Sequence, residues 1–335
     1  MPTFRTGTVT EVLEERPGLQ RVLVDGERAY VVTAQVGPVA VGDEVVFNTT
    51  AVDLGLGTGG WHVVHWNLAR RGWSAPGPGH IMKLRYTSLQ TDTGAAEEHH
   101  DVPTHLDGTP VVACTLHSQV PLVAGALLAE HPDARVAYVM TDGAALPLAL
   151  SDLVVGMRRA GVVHATVTAG HAFGGDLEAV SVPSALALAV HALDADLVVV
   201  AMGPGVVGTG AALGTTAVEA AAVLDFAAAL GGDPILCVRA SQADARERHR
   251  GVSHHVTTVL DLLRSRVTVP TVPQAPLERD DHDVVVVEPV PIADWLDARE
   301  LRVTSMGRDA SDDPLFFAAA AAAGTVAARR AGRRR

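Results

Sequence analysis

The stretch "LVVVAMGPGVVGTG", residues 197–210, is an unbroken apolar, β-branched run that ends in glycines. It reads as a strand followed by a tight turn. Runs of the same character recur at "PVVACTL" (110–116), "RVAYVMT" (135–141), "VVHATVT" (162–168), "PILCVRA" (234–240) and "DVVVVEP" (283–289). Between most of them lie stretches with helical spacing, at 119–131, 144–160, 176–193, 214–230 and 253–265. Strands that are apolar throughout, alternating with helices, mean a parallel sheet covered on both faces. The sequence therefore predicts a doubly wound, mostly parallel, Rossmann-like α/β domain over 109–330. An alanine-rich helix from about 314 to 330 is expected to pack back onto it.

Upstream the rhythm differs. "TGTVTEVLEE", "QRVLVDG", "RAYVVTAQV" and "VGDEVVFNTTAV" are short alternating segments separated by Gly, Pro and Asp turns, which predicts a small antiparallel β-barrel over 1–70. Residues 71–108 read as a linker or cover segment, with "IMKLRYTSLQ" as a strand and "EEHHDVPTH" (97–105) as a solvated loop. A basic tail occupies 331–335, within "RRAGRRR" (329–335), and reads first as a solvated terminus.

The chain has 335 residues and a formal net charge of −12, which argues against general nucleic-acid binding. No apolar run approaches the ~20 residues of a membrane-spanning helix, and "MPTFRTGTVTEV" has no secretory character. Cys114 and Cys237 sit inside apolar runs and form no metal or redox pair, so a reducing, cytoplasmic setting is expected. A homodimer is the default assembly. Of 26 basic residues only Lys83 is lysine, so it is singled out for a role that arginine cannot fill.

In open α/β sheets ligands bind at the carboxyl ends of the strands. The successive strand ends here read "HSQ" (117–119), "TDG" (141–143), "AGHAFGGDLE" (169–178), "GPGVVGTG" (203–210) and "RASQADARERHRGVSHH" (239–255). Five polar or glycine-rich ends on one edge mark a site. His117, Asp142, His171, Asp176 and His249 are the candidates for proton handling. Gly203, Gly205, Gly208 and Gly210 are candidates for a backbone nest around an anion. Arg239, Arg246 and Arg248 could clamp a phosphate or carboxylate, although two or more arginines of this run are expected to pair with Asp244 and Glu247. Lys83 and Arg85 could close the site from the preceding segment. A divalent metal such as zinc, manganese or iron is an open alternative: His117, His171, His249, His254 or His255 with Asp142 and Asp176 offer ligands, and His171, His254 and Asp176 are the set singled out. Ser253 is read as a helix N-cap, which would set His254 and His255 roughly 100° apart and turn one of them outward. A nicotinamide cofactor is not expected: "GPGVVG" lacks both an immediate helix and a downstream acidic residue.

The motifs "FNTTAVDLGLGTGGWHVV", "GHIMKLRYTSLQ", "LHSQVP", "VMTDGAALPLALSDLV", "TAGHAFGGDLEAV", "AMGPGVVGTGAALG" and "ADARERHRGVSHH" together resemble a bacterial family catalogued as domain of unknown function 3866. The resemblance runs from the barrel to about residue 265 and brings no activity, substrate or cofactor with it. It implies that barrel and α/β part belong to one unit. It also implies a hydroxyl where this chain has Ala211.

The expected function is that of an enzyme, a hydrolase or group transferase, acting on a small anionic metabolite at the carboxyl edge of the sheet. The competing reading is a non-catalytic binding or scaffold protein that engages a macromolecule through the barrel and the arginine tail.

Overall fold

A computed structural model describes residues 1–56 and 59–331, which form two compact units, residues 1–94 and the chain from Ala95 onward. In the first, strands β1 (Phe4–Arg16), β2 (Leu19–Val24), β3 (Glu27–Val31), β4 (Glu44–Asn48) and β5 (His62–Asn67) close a barrel in the order β1-β2-β3-β5-β4. Alternation drives it: Val9, Val22, Val24, Ala29, Val31, Val45, Phe47 and Val64 point inward and form the barrel core. The expected antiparallel pairing holds except between β3 and β5, which run parallel. The chain leaves β3 through a short helix, α1 (Thr33–Val36), and builds β4 on the far side before β5 fills the gap. A second short helix, α2 (Thr50–Asp53), follows β4.

The predicted strand "IMKLRYTSLQ" shrinks to a two-residue ladder between β6 (Met82–Lys83) and β7 (Thr91–Asp92). Leu84 and Tyr86 both take positive φ, 52° and 64°, which ends the extended run. Lys83 is buried, and exposed Arg85 donates to the Met82 carbonyl.

The second unit alternates as predicted. It contains β8 (Pro110–Cys114), α3 (Val120–Glu130), β9 (Val136–Thr141), α4 (Asp152–Arg159), β10 (Ala165–Ala169), β11 (Leu177–Ala179) and α5 (Val182–His191). Then come β12 (Leu197–Met202), α6 (Glu219–Ala229), β13 (Asp233–Cys237), β14 (Ala240–Ser241), β15 (Gly251–Val252) and α7 (His254–Leu262). The chain ends with β16 (Thr268–Thr271), β17 (Asp283–Val286), α8 (Ala293–Asp297) and α9 (Pro314–Ala331). Eight strands form one all-parallel sheet in the order β11-β10-β9-β12-β8-β13-β16-β17. Every residue of β8, β9, β10 and β12 is buried. Successive side chains point to opposite faces, so helices must cover both. Two strands escape the pattern reading. Pro270 disguises β16, and β11 is only three residues long.

The segment before β8 is fastened rather than free. Glu97 accepts hydrogen bonds from Val180 N and Ser184 Oγ at the start of α5, and Leu106 N donates to the Leu230 carbonyl. Helix α9 is buried on nearly all sides, as its alanines predict, and packs along α3. Its far end is held by Arg330, which donates to Asp233 and, at 2.7 Å, to Thr268 Oγ1. The tail placed at 331–335 lies, beyond Ala331, outside the described residues. No described helix is long and apolar enough to cross a membrane.

A Cβ on Gly324 would stand 2.2 Å from the Val123 carbonyl oxygen of α3. Gly324→Ala should therefore lower the free energy of unfolding by about 1–3 kcal/mol despite its better helix propensity. Denaturant titration reads this directly, and an unchanged midpoint would show that the two helices do not abut there.

Candidate functional site

Strand β8 starts the sheet near its middle. From it the chain builds β9, β10 and β12 on one side, then crosses to β13 on the other. The loops after β12 and β13 therefore flank the end of β8, at a topological switch point. Gln119 braces this edge: its Oε1 accepts from Thr115 N and Leu116 N, and its Nε2 donates to the Val238 carbonyl at 3.1 Å.

Arg239 follows directly. The antiparallel pair β14–β15 and a Ser253 N–H to Arg239 C=O bond of 2.9 Å fold the next residues into a hairpin. Gly251, at φ 63°, allows the turn back. The hairpin returns the chain to the edge, where Ser253 caps α7 as predicted.

Three imidazoles converge at this cap. The rings of His249 and His254 are 5.0 Å apart, those of His249 and His255 4.8 Å, and those of His254 and His255 4.4 Å. Their nearest ring nitrogens all lie within 4.8 Å of one another. The expectation that His254 and His255 diverge is thus corrected. At the first turn no preceding turn restricts χ1, so neighbouring side chains can fold toward one point. His249 Nδ1 and Ser253 Oγ are 2.7 Å apart. His255 Nδ1 and Nε2 and His254 Nε2 are buried and make no hydrogen bond among the described residues.

Burial chiefly pushes all three imidazoles toward the neutral form, His249 down to about 3, His255 to about 4 and His254 in the same direction; neighbouring arginines add to it, after His254 in the case of His255. A general base works best near the operating pH, so His249 is poorly suited to proton transfer.

The arginines gather on Asp244, whose carboxylate is buried. Arg246 grips it with two bonds of 2.9 Å, Arg239 reaches it at 3.4 Å and Arg308 at 3.5 Å. Arg246 chiefly holds this carboxyl well below the usual range. Burial pulls Arg239 down to about 10. Arg308 also bonds Asp313, which in turn accepts from Ser241 Oγ at 2.5 Å. Arg248 is exposed and makes no ion pair among the described residues, yet its charge is felt at His254 and His255.

The glycine loop packs against one of these imidazoles at Gly208. Val207 N bonds Thr216 Oγ1 and Thr209 N bonds the Gly214 carbonyl, so these N–H groups are spent inside a small hairpin. A Cβ on Gly208 would sit 2.9 Å from His255 Cε1, and one on Gly203 2.3 Å from the Ala145 carbonyl. Gly205 takes φ 108°, Gly210 borders open space, and Ala211 is exposed.

The other predicted residues go elsewhere. His117 is buried between Tyr138 OH (3.0 Å) and Ser151 Oγ (2.7 Å), a fully bonded imidazole that ties three segments together. Asp142 accepts from His171 N at 3.0 Å and joins the ends of β9 and β10. Asp176 bonds Thr166 N and Oγ1 and Arg158, near the beginning of β10 and so away from the carboxyl edge. The proposed metal trio His171, His254 and Asp176 is therefore not brought together. The strands preceding His171 and His254 are four spacings apart in the sheet, about 19 Å. Lys83 and Arg85 belong to the barrel unit.

Three partners were missed. Arg308 and Asp313 arrive from far along the chain and carry no local signal. Glu219 opens α6 where Thr216-x-x-Glu219 spells a helix-start signature. Thr141 donates to its carboxyl, and burial followed by the Asp142 charge pushes it up to about 7. Two clefts, of about 590 and 510 Å³, flank α8 and the start of α9. No histidine lines either, so chemistry and not hollow volume singles out the edge.

Barrel and parallel sheet define a two-unit α/β protein, with arginines and histidines clustered at strand ends of its second unit. The chain belongs to the family described as protein of unknown function, domain of unknown function 3866, whose profile matches residues 28–324. No curated protein and no solved structure is significantly similar to it.

Burial holds the His117 imidazole down to about 4. In the unfolded chain it would protonate from about pH 6.5, so between these values acid favours unfolding, by up to ~1.4 kcal/mol per pH unit for one group. The free energy of unfolding should fall as pH drops from 6.5 to 4, and His117→Gln should show a shallower fall. An identical slope would mean that His117 is not the proton acceptor.

Proposed function

We propose that this chain is an enzyme, a hydrolase or group transferase, that holds a small anionic molecule above the carboxyl ends of β12 and β13. The observation that carries the reading is Arg248, an exposed guanidinium without an ion pair among the described residues, beside three uncharged imidazoles. In the β13 loop and the segment docked on it, five arginines (Arg239, Arg246, Arg248, Arg250, Arg308) stand against three acids (Asp244, Glu247, Asp313). In a chain of net charge −12, such a local excess focuses anions onto one place. Arg239 and Arg246 are committed to Asp244 and act as the rigid base of the site; Arg248 supplies the ligand-facing charge. Outside that cluster, beside Thr141 at the end of β9, Glu219 has an acidity suited to proton transfer near neutral pH.

Thermal-shift titration with inorganic phosphate and a panel of small carboxylates and phosphate esters tests this. A ligand should raise the midpoint of the intact chain, and Arg248→Ala should weaken it at least tenfold while leaving the unliganded midpoint nearly unchanged. Equal responses in both proteins would count against the reading.

One observation favours a second reading, a binding module working through the barrel. Tyr30 and Trp61 stack at 4.7 Å, with the Arg21 guanidinium 5.6 and 5.4 Å from their centroids and Arg28 5.3 Å from that of Trp61. Five-stranded barrels bind oligonucleotides on the face of their second and third strands with such groups. Salt-dependent binding of single-stranded RNA by the intact chain, lost in Trp61→Ala, would support it; no binding at low salt would dismiss it.

A further inference from the structure

We infer that His249, His254 and His255 bind one divalent transition-metal ion of the zinc class at the amino end of α7. The inference rests on the reading of this edge as the working site, and adds a cofactor class to it.

Geometry carries the argument. One nitrogen from each ring already lies within 4.8 Å of the other two. Ligands at ~2.0–2.1 Å from a tetrahedral zinc stand about 3.4 Å apart, so modest ring rotations bring the set to bonding distance. The nitrogens are also available. With His249 Nδ1 donating to Ser253 Oγ, its Nε2 keeps a free lone pair, the usual outer-shell arrangement of a ligating histidine. His255 is only 3% exposed, yet neither ring nitrogen has a partner among the described residues; His254 Nε2 is likewise buried and unpartnered. A buried polar atom left without a partner is unfavourable, so such nitrogens on two adjoining rings call for an occupant.

The packing keeps that place open. Any side chain on Gly208 would strike the His255 ring, 2.9 Å from its Cε1 and 3.0 Å from its Nε2. Three neutral nitrogen ligands leave the fourth position of a tetrahedral ion vacant, as in catalytic zinc sites. The arginines set what can fill it. Asp244 offsets Arg239 and Arg246, whereas Arg248 is left to face an anion bound at the metal.

A second group of potential ligands, His105, Asp107 and His191, provides the internal control. It is largely exposed, and its contacts are already made within the group: His105 Nδ1 to Asp107 at 2.8 Å, and His191 Nε2 to the His105 carbonyl at 2.6 Å.

The test uses the full chain, stripped with a chelator and titrated with Zn²⁺ against a chromophoric competitor, then with Co²⁺ by visible spectroscopy. One equivalent of each ion should bind, and Co²⁺ should show the intense d–d bands of a tetrahedral nitrogen site. His255→Ala should weaken binding at least tenfold, and so should His254→Gln, whose half-exposed position keeps folding out of the question. Ser253→Ala should cost 10–100-fold through the lost orientation of His249. His105→Ala should change nothing. No stoichiometric binding would overturn the inference, as would binding that survives His254→Gln or is lost in His105→Ala. Phosphate titration of the stripped protein separates the two readings: anion binding without metal binding removes the metal alone, and metal binding without anion binding removes the anion.

Discussion

A parallel sheet buried on both faces leaves little room for polar side chains along its central strands. In β8, β9 and β12 every residue is enclosed, and the side chains are Val, Ala, Leu, Met, Cys, Pro, one Tyr and one Thr. Whatever chemistry the chain carries must therefore sit where the strands stop. The crossing of the chain from one side of β8 to the other then opens the space between the β12 and β13 loops. The position of the proposed site follows from how the sheet is wound, and its residues come from the hairpin loop after β13.

Within that space the electrostatics depend on a single buried carboxylate. Asp244 draws three guanidiniums inward, and without it Arg239 would be an uncompensated buried charge. Removing one partner of such a pair costs about 3–5 kcal/mol, far more than an exposed ion pair contributes. Burial chiefly keeps the neighbouring imidazoles uncharged, and the arginines of the same cluster add to it by repelling a further proton. Burial and structural cations thus prepare neutral nitrogens, a combination that suits ligation better than proton shuttling.

The adjacent polar residues divide into those that build the edge and those that face out of it. His117 and Asp176 carry the residue types of a catalytic site, but their hydrogen bonds are all made within the scaffold. Gly208 has no chemistry of its own, yet it is the residue that lets His255 occupy its place. Function and scaffold are therefore not separable by residue type here.

The sequence by itself determined the alternation of buried strands and helices, the barrel before them, the long alanine helix and the edge on which polar groups collect. These follow from local periodicity and turn chemistry, which act over a few residues. It also marked Ser253 as a helix cap. Only the tertiary structure decided which polar residues meet. Arg308 and Asp313 reach Asp244 and Ser241 from more than sixty residues away. Asp176 is carried to the wrong end of its strand by a loop that doubles back. Three histidines that helical spacing alone would spread apart converge because a hairpin lays one of them over the first turn of a helix. Strand order sets those meetings, and strand order is chosen by long-range packing that no local pattern encodes.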